Sequence, residues 1–549
     1  MPLQKNQVLT LQVERLSSDG SGVAHSPEGE TVFIPGAAPG DEARVRIVKD
    51  CKRYAFGILD EVLKPSPDRI PVDCAVAGPC GGCSLRHLDY AAELRAKQEN
   101  VADAFARIGG LDVPVLPIVG SPEIDRYRNK VQFPVGTDKA GRPCIGFYAG
   151  RTHRIVPCPD CRLQPGVLNE IGNTLCAFFA EKGIHPYNEE TGKGLVRHIF
   201  LRRGAHSGQI MVCLVSTRAK IPSADELCTR LKEAFPDIVT ILLNVNAKNT
   251  NVILGSETHT LYGQGYIEDT LCGVPVQLGS LSFYQVNTLA AEQLYGIAAE
   301  YAQLTPDDLL LDLYCGMGTI GLSMADHCRE LVGVEIVPEA IESAKANAAR
   351  MGAAVSAKSR FFCADAGQAA AQLAAEGLHP DVVMLDPPRK GCDGATLSAV
   401  VRMAPRRVVY VSCNPATAAR DAAWLEQNGY HAEKVQPVDL FPRTKHVETV
   451  CLLSKLNVKH HIEVEITMDE LDLTAAESKA TYDEIKAYVL EKFGFKVSQL
   501  YIAQIKRKCG IIERKNYNQS KKEDAKVPKC PPEKEAAIMD ALKHFQMIP

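Results

Sequence analysis

An apolar run, Leu309 to Leu313, breaks into Tyr314-Cys315-Gly316-Met317-Gly318-Thr319-Ile320-Gly321. A buried strand that ends in a G-x-G-x-x-G turn and opens a helix leaves few architectures. Glycine supplies the tight backbone, and the helix N-terminus is left facing a ligand. A second apolar run, Leu331 to Val334, is closed by Glu335, where an acid can take ribose hydroxyls. From Leu281 to Ser454 strand-like and helix-like segments alternate, the pattern of a doubly wound parallel sheet.

The glycine turn alone does not separate a dinucleotide site from one for S-adenosylmethionine. An NAD-dependent iron–sulfur oxidoreductase is therefore one reading to be weighed. The next two strands decide against it. Asp381-Val-Val-Met-Leu-Asp386-Pro-Pro-Arg389-Lys-Gly391 puts an acid and two φ-locked prolines at a strand end, and Arg407-Val-Val-Tyr-Val-Ser-Cys413-Asn-Pro415 puts a cysteine at another. In open α/β sheets the carboxyl ends of strands face the ligand crevice, so the turn, Asp386 and Cys413 should share one cleft. Methylases of exocyclic amines carry an aromatic residue after such a Pro-Pro pair to stack on the base. Here Arg389 stands in that place, and a strand-end cysteine points to carbon chemistry instead. A non-catalytic RNA-binding module would leave the whole crevice unexplained.

The N-terminal stretch, Gln7 to Leu63, reads as about five short strands with turn signals between them, as in a small oligonucleotide-binding barrel. It resembles the TRAM domain of RNA-modifying enzymes. The Pro-rich segment Lys64 to Pro71 leads to Cys74-x5-Cys80-Gly-Gly-Cys83, which places three thiols on one glycine-rich loop, and Cys158-Pro-Asp-Cys161 offers a fourth. Thiolates suit zinc or an iron–sulfur cluster and spacing does not separate them, although three ligands in one loop fit a four-iron cluster better than paired zinc knuckles. The chain has 19 cysteines. With no secretory signal they are expected to be reduced, and isolated ones such as Cys176, Cys213, Cys228, Cys272 and Cys363 to fill cores.

Taken together, these words resemble the bacterial 23S rRNA (uracil-5-)-methyltransferase family, the TRAM-bearing, iron–sulfur branch of the RNA m5U methyltransferases. They are Ser282-Phe-Tyr-Gln285-Val-Asn287, Asp312-Leu-Tyr314-Cys-Gly-Met-Gly-Thr319, Asp386-Pro-Pro-Arg-Lys-Gly391, Ser412-Cys413-Asn-Pro415 and Asp439-Leu-Phe-Pro-Arg-Thr-Lys-His446-Val-Glu448. The resemblance covers roughly Gln7 to Ser454. It implies an α/β fold with an OB-like TRAM barrel over 1–64, an α+β central domain with a [4Fe-4S] cluster over 65–280 and a Rossmann-like methyltransferase domain over 281–455; the residues themselves add a helical tail over 456–549. It assigns Cys413 as nucleophile and Glu448 as base. Gln285, Tyr314, Glu335 and Asp386 fall to S-adenosylmethionine, with Thr319 and Asp365 as further contacts. Cys74, Cys80, Cys83 and Cys161 fall to the cluster, Cys161 being preferred to Cys158 for its Asp-Cys-Arg-Leu-Gln164 context. The implied substrate is a uridine of 23S rRNA, or of tRNA, flipped from its stack.

A formal charge of −4 excludes a wholly basic nucleic-acid binder. RNA contacts would fall to local clusters: Arg126/Arg128/Lys130, Arg197/His198 with Arg202/Arg203, Arg402/Arg406/Arg407 and Lys506/Arg507/Lys508. No apolar run reaches the ~20 residues of a membrane helix, so a cytoplasmic monomer is expected. Past Lys455 the resemblance is silent. Met468 to Asp472 and Ala475 onward look helical, Tyr482 to Phe493 is amphipathic with Gly494 as a stop, and Ser498 to Lys508 could follow as the basic helix of a helix-turn-helix or as part of a self-packed module.

Overall fold

The computed structural model describes residues 3–150, 152–248, 250–456, 482–509, 530–545 and 547, and the chain forms two compact units, 1–457 and 458–549. In the first unit, β1 (Val8–Leu16), β2 (Ser21–His25), β3 (Thr31–Pro35), β4 (Glu42–Asp50) and β5 (Tyr54–Lys64) close a barrel in the order β1-β2-β3-β5-β4. Alternation fills it: Ala43, Val45 and Ile47 of β4 are fully buried, while Arg44 and Arg46 point outward to Glu61 and Asp60, each pair at 2.6 Å. Gly57 is required where β5 crosses β4, since a Cβ there would lie 2.3 Å from a Val45 methyl. The Pro-rich segment is no free tether, because the buried Asp41 accepts from Ser66 N (2.9 Å) and pairs with Arg69.

A seven-stranded sheet follows, in the order β12-β11-β10-β9-β6-β7-β8. Its strands are β6 (Lys130–Thr137), β7 (Pro143–Tyr148), β8 (Ile155–Pro157), β9 (Val196–Arg203), β10 (Ile210–Ser216), β11 (Ile238–Val245) and β12 (Glu257–Tyr262). Helices Gly166–Glu181 and Ala224–Ala234 bury apolar faces in its core. The hairpin of β13 (Ile267–Leu271) and β14 (Val274–Leu278) leads on to helix Thr288–Ala302.

The third sheet holds β15 (Leu309–Leu313), β16 (Glu330–Glu335), β17 (Ser359–Cys363), β18 (Val382–Leu385), β19 (Arg407–Ser412), β20 (Tyr430–Val438) and β21 (Glu448–Lys455), in the order β17-β16-β15-β18-β19-β21-β20. β17, β16, β15, β18 and β19 are parallel, and β21 runs antiparallel to both its neighbours. The chain reverses its winding between β15 and β18, which opens a crevice at their carboxyl ends. Packing crosses the sequence boundary at 281. Helix Tyr90–Asp103 and its π-helical continuation to Gly109 bury Val101 and Phe105 in this sheet's core, and Val115 and Val119 bridge in parallel to Val435 and Val438 of β20.

In the second unit, helices Tyr482–Phe493, Gln499–Lys508 and Pro532–His544 share a small core that includes Ile485, Val489, Ile502, Ile505, Ile538 and Leu542. Gly494, at φ +77°, ends the first helix as its sequence suggested. The helical expectation at Met468–Asp472 and from Ala475 lies outside the described residues. Within the basic helix Lys506 is buried and Lys508 pairs with Glu535. Among the described residues no helix is long and apolar enough to cross a membrane.

Candidate active site

The glycine turn is built around a strained residue. Tyr314 follows β15 in the left-handed region (φ +67°), and Gly316 and Gly318 continue at +54° and +79°. A non-glycine residue held there is a conformational cost that recurs at functional sites. The turn aims the Tyr314 hydroxyl at Thr396 Oγ1, 3.3 Å away. Glu335, at the end of β16, is locked from below: Gly316 N donates to Oε2 (3.2 Å), and Ile336 N and Val337 N donate to Oε1 (2.8 and 3.0 Å). Asp312 was assigned no role from the sequence. It lies buried in β15, where Oδ2 accepts from Gly321 N (3.0 Å) and Oδ1 has no partner. Burial pushes its carboxyl up to about 8, with the charges of Asp386 and Glu335 adding to the shift.

On the other side of the winding reversal, Asp386 follows β18 and burial pushes it up to about 7. Cys413 follows β19. Asn414 caps the next helix through Ala416 N (3.2 Å) and donates to the Arg389 carbonyl (3.0 Å), so the cysteine loop and the Pro-Pro loop form one piece. β21 brings in Glu448. Its neighbour Thr449 pairs with Ser412 in the β19–β21 register and donates to the Ser412 carbonyl at 3.1 Å. Cys413 and Glu448 thus leave adjacent strands into one cleft. Burial raises the Glu448 carboxyl well above its ordinary range, Asp386 adds to this and Arg389 opposes it. The Cys413 thiol is raised by burial and by the charges of Glu448 and Asp386, while the Arg389 guanidinium hydrogen-bonds it and pulls the other way.

A buried network sets the loop before Glu448. Lys97 Nζ donates to Glu93 Oε1 (2.8 Å), Asp439 Oδ1 (2.7 Å) and the Phe441 carbonyl (3.1 Å). Tyr90 donates to Asp439 (3.0 Å) and accepts from Ser121 N (2.7 Å), and Arg443 N donates to Glu93 (2.7 Å). Beyond it, burial and the nearby cations Arg389, Lys445, Lys97 and Arg128 depress His446 to about 4, so its ring is neutral at neutral pH. Asp439 stood in the sequence pattern without a task. Lys97 and Glu93 carried an i, i+4 signal that also fits an exposed pair.

The structure gathers Tyr314, Glu335, Asp386, Cys413 and Glu448 around this crevice. Gln285 stands on the segment before helix Thr288–Ala302, its carbonyl held by Asn129 Nδ2 at 2.7 Å. Thr319 is buried against the Tyr295 hydroxyl (3.1 Å), and Asp365 caps helix Ala366–Ala375. Leu281, Phe283 and Ile336 are exposed. In the central part, Gly81 (φ +65°) turns the chain between Cys80 and Cys83. Cys80 and Cys158 lie close enough to Cys74 and Cys161, and Cys83 to Cys80 and Cys161, for those charges to act on them, and Cys158 is hydrogen-bonded to Cys161. Among the described residues no three such side chains are near enough to hold a single metal ion. Of the cysteines expected in cores, Cys176 and Cys213 are buried, Cys228 and Cys272 are half-buried, and Cys363 is exposed at the end of β17 because that strand edges the sheet.

Residues 2–59 match the TRAM domain and residues 276–456 match the tRNA (Uracil-5-)-methyltransferase family. An RNA methyltransferase of Halalkalibacterium halodurans is 43% identical over 457 residues, 83% of this chain and 99% of that protein. The chain belongs to the RNA (uracil-5-)-methyltransferase family. An RNA methyltransferase of Clostridium tetani is 40% identical over 83% of this chain and 98% of its own length. The solved tRNA (uracil-54, C5)-methyltransferase of Pyrococcus abyssi, in complex with S-adenosyl-L-homocysteine, superposes with a TM-score of 0.65 at 27% identity, covering 81% of this chain and all of that one.

In this methyltransferase some of the basic residues read from the sequence as RNA contacts are engaged within the fold. Arg197 is buried on the Asn246 and Lys248 carbonyls. Arg202 is buried on the Gly279 (2.9 Å) and Ser282 (2.7 Å) carbonyls, pinning the segment that leads to Gln285. Arg126 pairs with Asp160 and Arg406 with Asp308. A long arginine satisfies buried carbonyls that no shorter donor reaches, so clustering in sequence did not mean clustering on a surface.

Proposed function

We propose that this enzyme methylates carbon 5 of a uridine in the large-subunit ribosomal RNA through a covalent adduct at Cys413. The observation that carries the chemistry is the emergence of Cys413 and Glu448 from adjacent strands into an acid-lined cleft with Arg389 beside both. Carbon 5 of uracil is a poor nucleophile. The Cys413 thiolate adds to carbon 6, forming an Sγ–C6 bond and moving the ring π pair toward carbon 5 and the O4 enolate. S-adenosylmethionine supplies the electrophilic methyl group that carbon 5 then takes. Glu448 removes the carbon 5 proton, the C5–C6 double bond re-forms, and Sγ leaves as thiolate. A carboxylate with a raised proton affinity is the stronger base once ionised.

The crevice suits a cationic cofactor. Asp386 and Glu335 both lie near enough to act on Asp312, and the unpartnered Oδ1 of Asp312 offers an acceptor beside the turn. Gln285, Tyr314, Glu335 and Asp386 would hold S-adenosylmethionine with it. The all-sulfur donor set Cys74, Cys80, Cys83 and Cys161 suits a [4Fe-4S] cluster, whose four ligands sit farther apart than those of one ion; Cys158 is the alternative fourth ligand. Since the reaction transfers no electron, a cluster held there would serve a structural or RNA-positioning role. Loss of activity on one-electron reduction with the fold intact by circular dichroism would count against that role. The likeness to the Pyrococcus abyssi enzyme supports tRNA as the second reading. A cytoplasmic enzyme acting as a monomer is part of this reading, because every residue assigned to the site comes from one copy of the chain.

The test is incubation with tritiated S-adenosylmethionine and, separately, 23S rRNA and tRNA from a strain lacking the enzyme, followed by nucleoside analysis. Label in 5-methyluridine from 23S rRNA alone is expected. Label from tRNA alone would keep the chemistry and replace the substrate, and a Cys413→Ala protein that still labels RNA would refute the adduct.

A further inference from the structure

A groove of about 730 Å³ leads away from Cys413 between the catalytic loops, the helix through Arg107 and the wall of the barrel. Arg389, Lys445 and His446 line it with Thr31 and Phe33 of β3, and so do Arg15 and Arg107, which pair with Asp103 at 3.9 and 3.2 Å on the same lining as Glu99. Phe33 is part of a larger feature. β3 and β5 pair in parallel with Thr31 opposite Tyr54 and Phe33 opposite Phe56, so the outward positions stack side by side. The three rings Phe33, Tyr54 and Phe56 lie with centroids 5.7 to 5.8 Å apart. Tyr54 is 41% exposed, and the exposed Lys52 and Arg53 directly precede it.

The strip lies outside the barrel's core, though its ring pairs also tie β3 to β5. The barrel core is filled by Val32, Ile34, Val45 and Ala55, which point the other way. Outward positions elsewhere on β4 and β5 carry the Arg44–Glu61 and Arg46–Asp60 pairs. An outward aromatic cluster beside two cations, continuous with the groove that ends at Cys413, has the chemistry of a single-strand site: ring faces for bases and cations for phosphates.

The geometry points to Phe33, Tyr54 and Phe56 as a stacking platform that receives an unpaired base of the RNA strand flanking the target uridine. Lys52 and Arg53 meet that nucleotide's phosphate, and the groove carries the strand between platform and cysteine. This rests on the reading of Cys413 as the reaction centre. Stacking is indifferent to base identity, so the platform holds the strand open near the target without choosing its sequence, and specificity lies elsewhere.

The test uses the full-length protein and a short single-stranded RNA with one uridine flanked by 2-aminopurines. Tyr54 is exposed, so its replacement leaves the barrel core intact. Tyr54→Ala is expected to weaken binding by roughly 5- to 150-fold and to abolish part of the 2-aminopurine quenching, while Tyr54→Trp keeps both because it restores a ring face. Equal affinity and quenching in Tyr54→Ala and wild type would overturn the platform. So would loss in Tyr54→Trp as well as Tyr54→Ala, or a wild-type protein that does not bind or quench the probe. The same RNA with 5-fluorouridine at the target tests Cys413 separately. A missing adduct with an intact Tyr54 effect refutes the chemistry alone, and a formed adduct with no Tyr54 effect refutes the platform alone.

Discussion

Lys97→Met should destabilise the first unit by about 4 kcal/mol at pH 7. The lysine is 2% exposed and sits between Glu93 and Asp439, both 0% exposed, with Arg443 supplying the second cation at 3.7 Å from Glu93. Two cations and two carboxylates balance. Methionine keeps the length and apolar stem but leaves one carboxylate buried without its charge, and that group will take up a proton. Raising an ordinary carboxyl from about 3.9 to full protonation at pH 7 costs about 1.4 kcal/mol per unit over about three units, or roughly 4 kcal/mol. Truncating one partner of a buried pair typically costs about 3–5 kcal/mol. The assay is urea unfolding followed by the fluorescence of Trp424, the single tryptophan, which packs against the core that receives Val101 and Phe105. The loss should shrink toward pH 5, where protonation is cheaper, and Asp439→Asn in the Lys97→Met background should recover part of it. A loss under about 1 kcal/mol, or one that does not change with pH, would show that the charges are not balanced in this way.

Further outcomes follow from the crevice. Burial raises both Glu448 and Cys413, and the proposed mechanism needs both ionised, so single-turnover methylation should climb with pH through neutrality. Arg389→Ala should move that climb to higher pH, because the guanidinium is what opposes the rise; a flat profile would contradict the assignment. Asp312→Asn should weaken S-adenosylmethionine binding about tenfold or more, as loss of a hydrogen bond to a charged group does, read by calorimetry. Because Asp312 is raised to about 8 in the fold, its ionisation costs stability that is intact below its ordinary value near 4 and is lost as pH rises to 8. The free Asp312→Asn protein should therefore gain on wild type between pH 5 and 9 in thermal unfolding. Gly321→Ala places a Cβ 2.8 Å from Asp312 Oδ2 and from a Leu331 methyl, and should cost about 1–3 kcal/mol by overpacking, measured by the same unfolding assay.

The crevice was legible because local sequence and global topology coincide there. An apolar strand, a glycine turn and a strand-end acid or cysteine each mark one residue at a carboxyl edge, and the winding rule brings the edges together without further information. The barrel was legible for a similar reason, since period-two alternation in β4 states which side chains face inward. What the sequence hid was partnership at long range. Glu93 and Asp439 are far apart in the chain, and an i, i+4 pair on a helix reads as solvent-facing until something covers it. The arginines misled for the same reason: whether Arg202 meets phosphate or a buried carbonyl depends on which segment lies beside β9. Asp312 was hidden by its context, because an acid inside an apolar strand is conspicuous only when its second oxygen is seen to lack a partner.

The network around Lys97 also explains why a helix that precedes the central sheet packs on the methyltransferase sheet. Asp439, Phe441 and Arg443 belong to the loop that delivers His446 and Glu448, yet their partners Tyr90, Glu93 and Lys97 come from helix Tyr90–Asp103. Neither half can be buried alone without stranding a charge. The loop and the helix therefore stabilise one another's placement through the buried charges they share. An apolar interface of the same area would hold the pieces together but would tolerate sliding. Matched charges at 2.7 and 2.8 Å favour one register, and under the proposed mechanism that register is what would bring Glu448 to the proton on carbon 5.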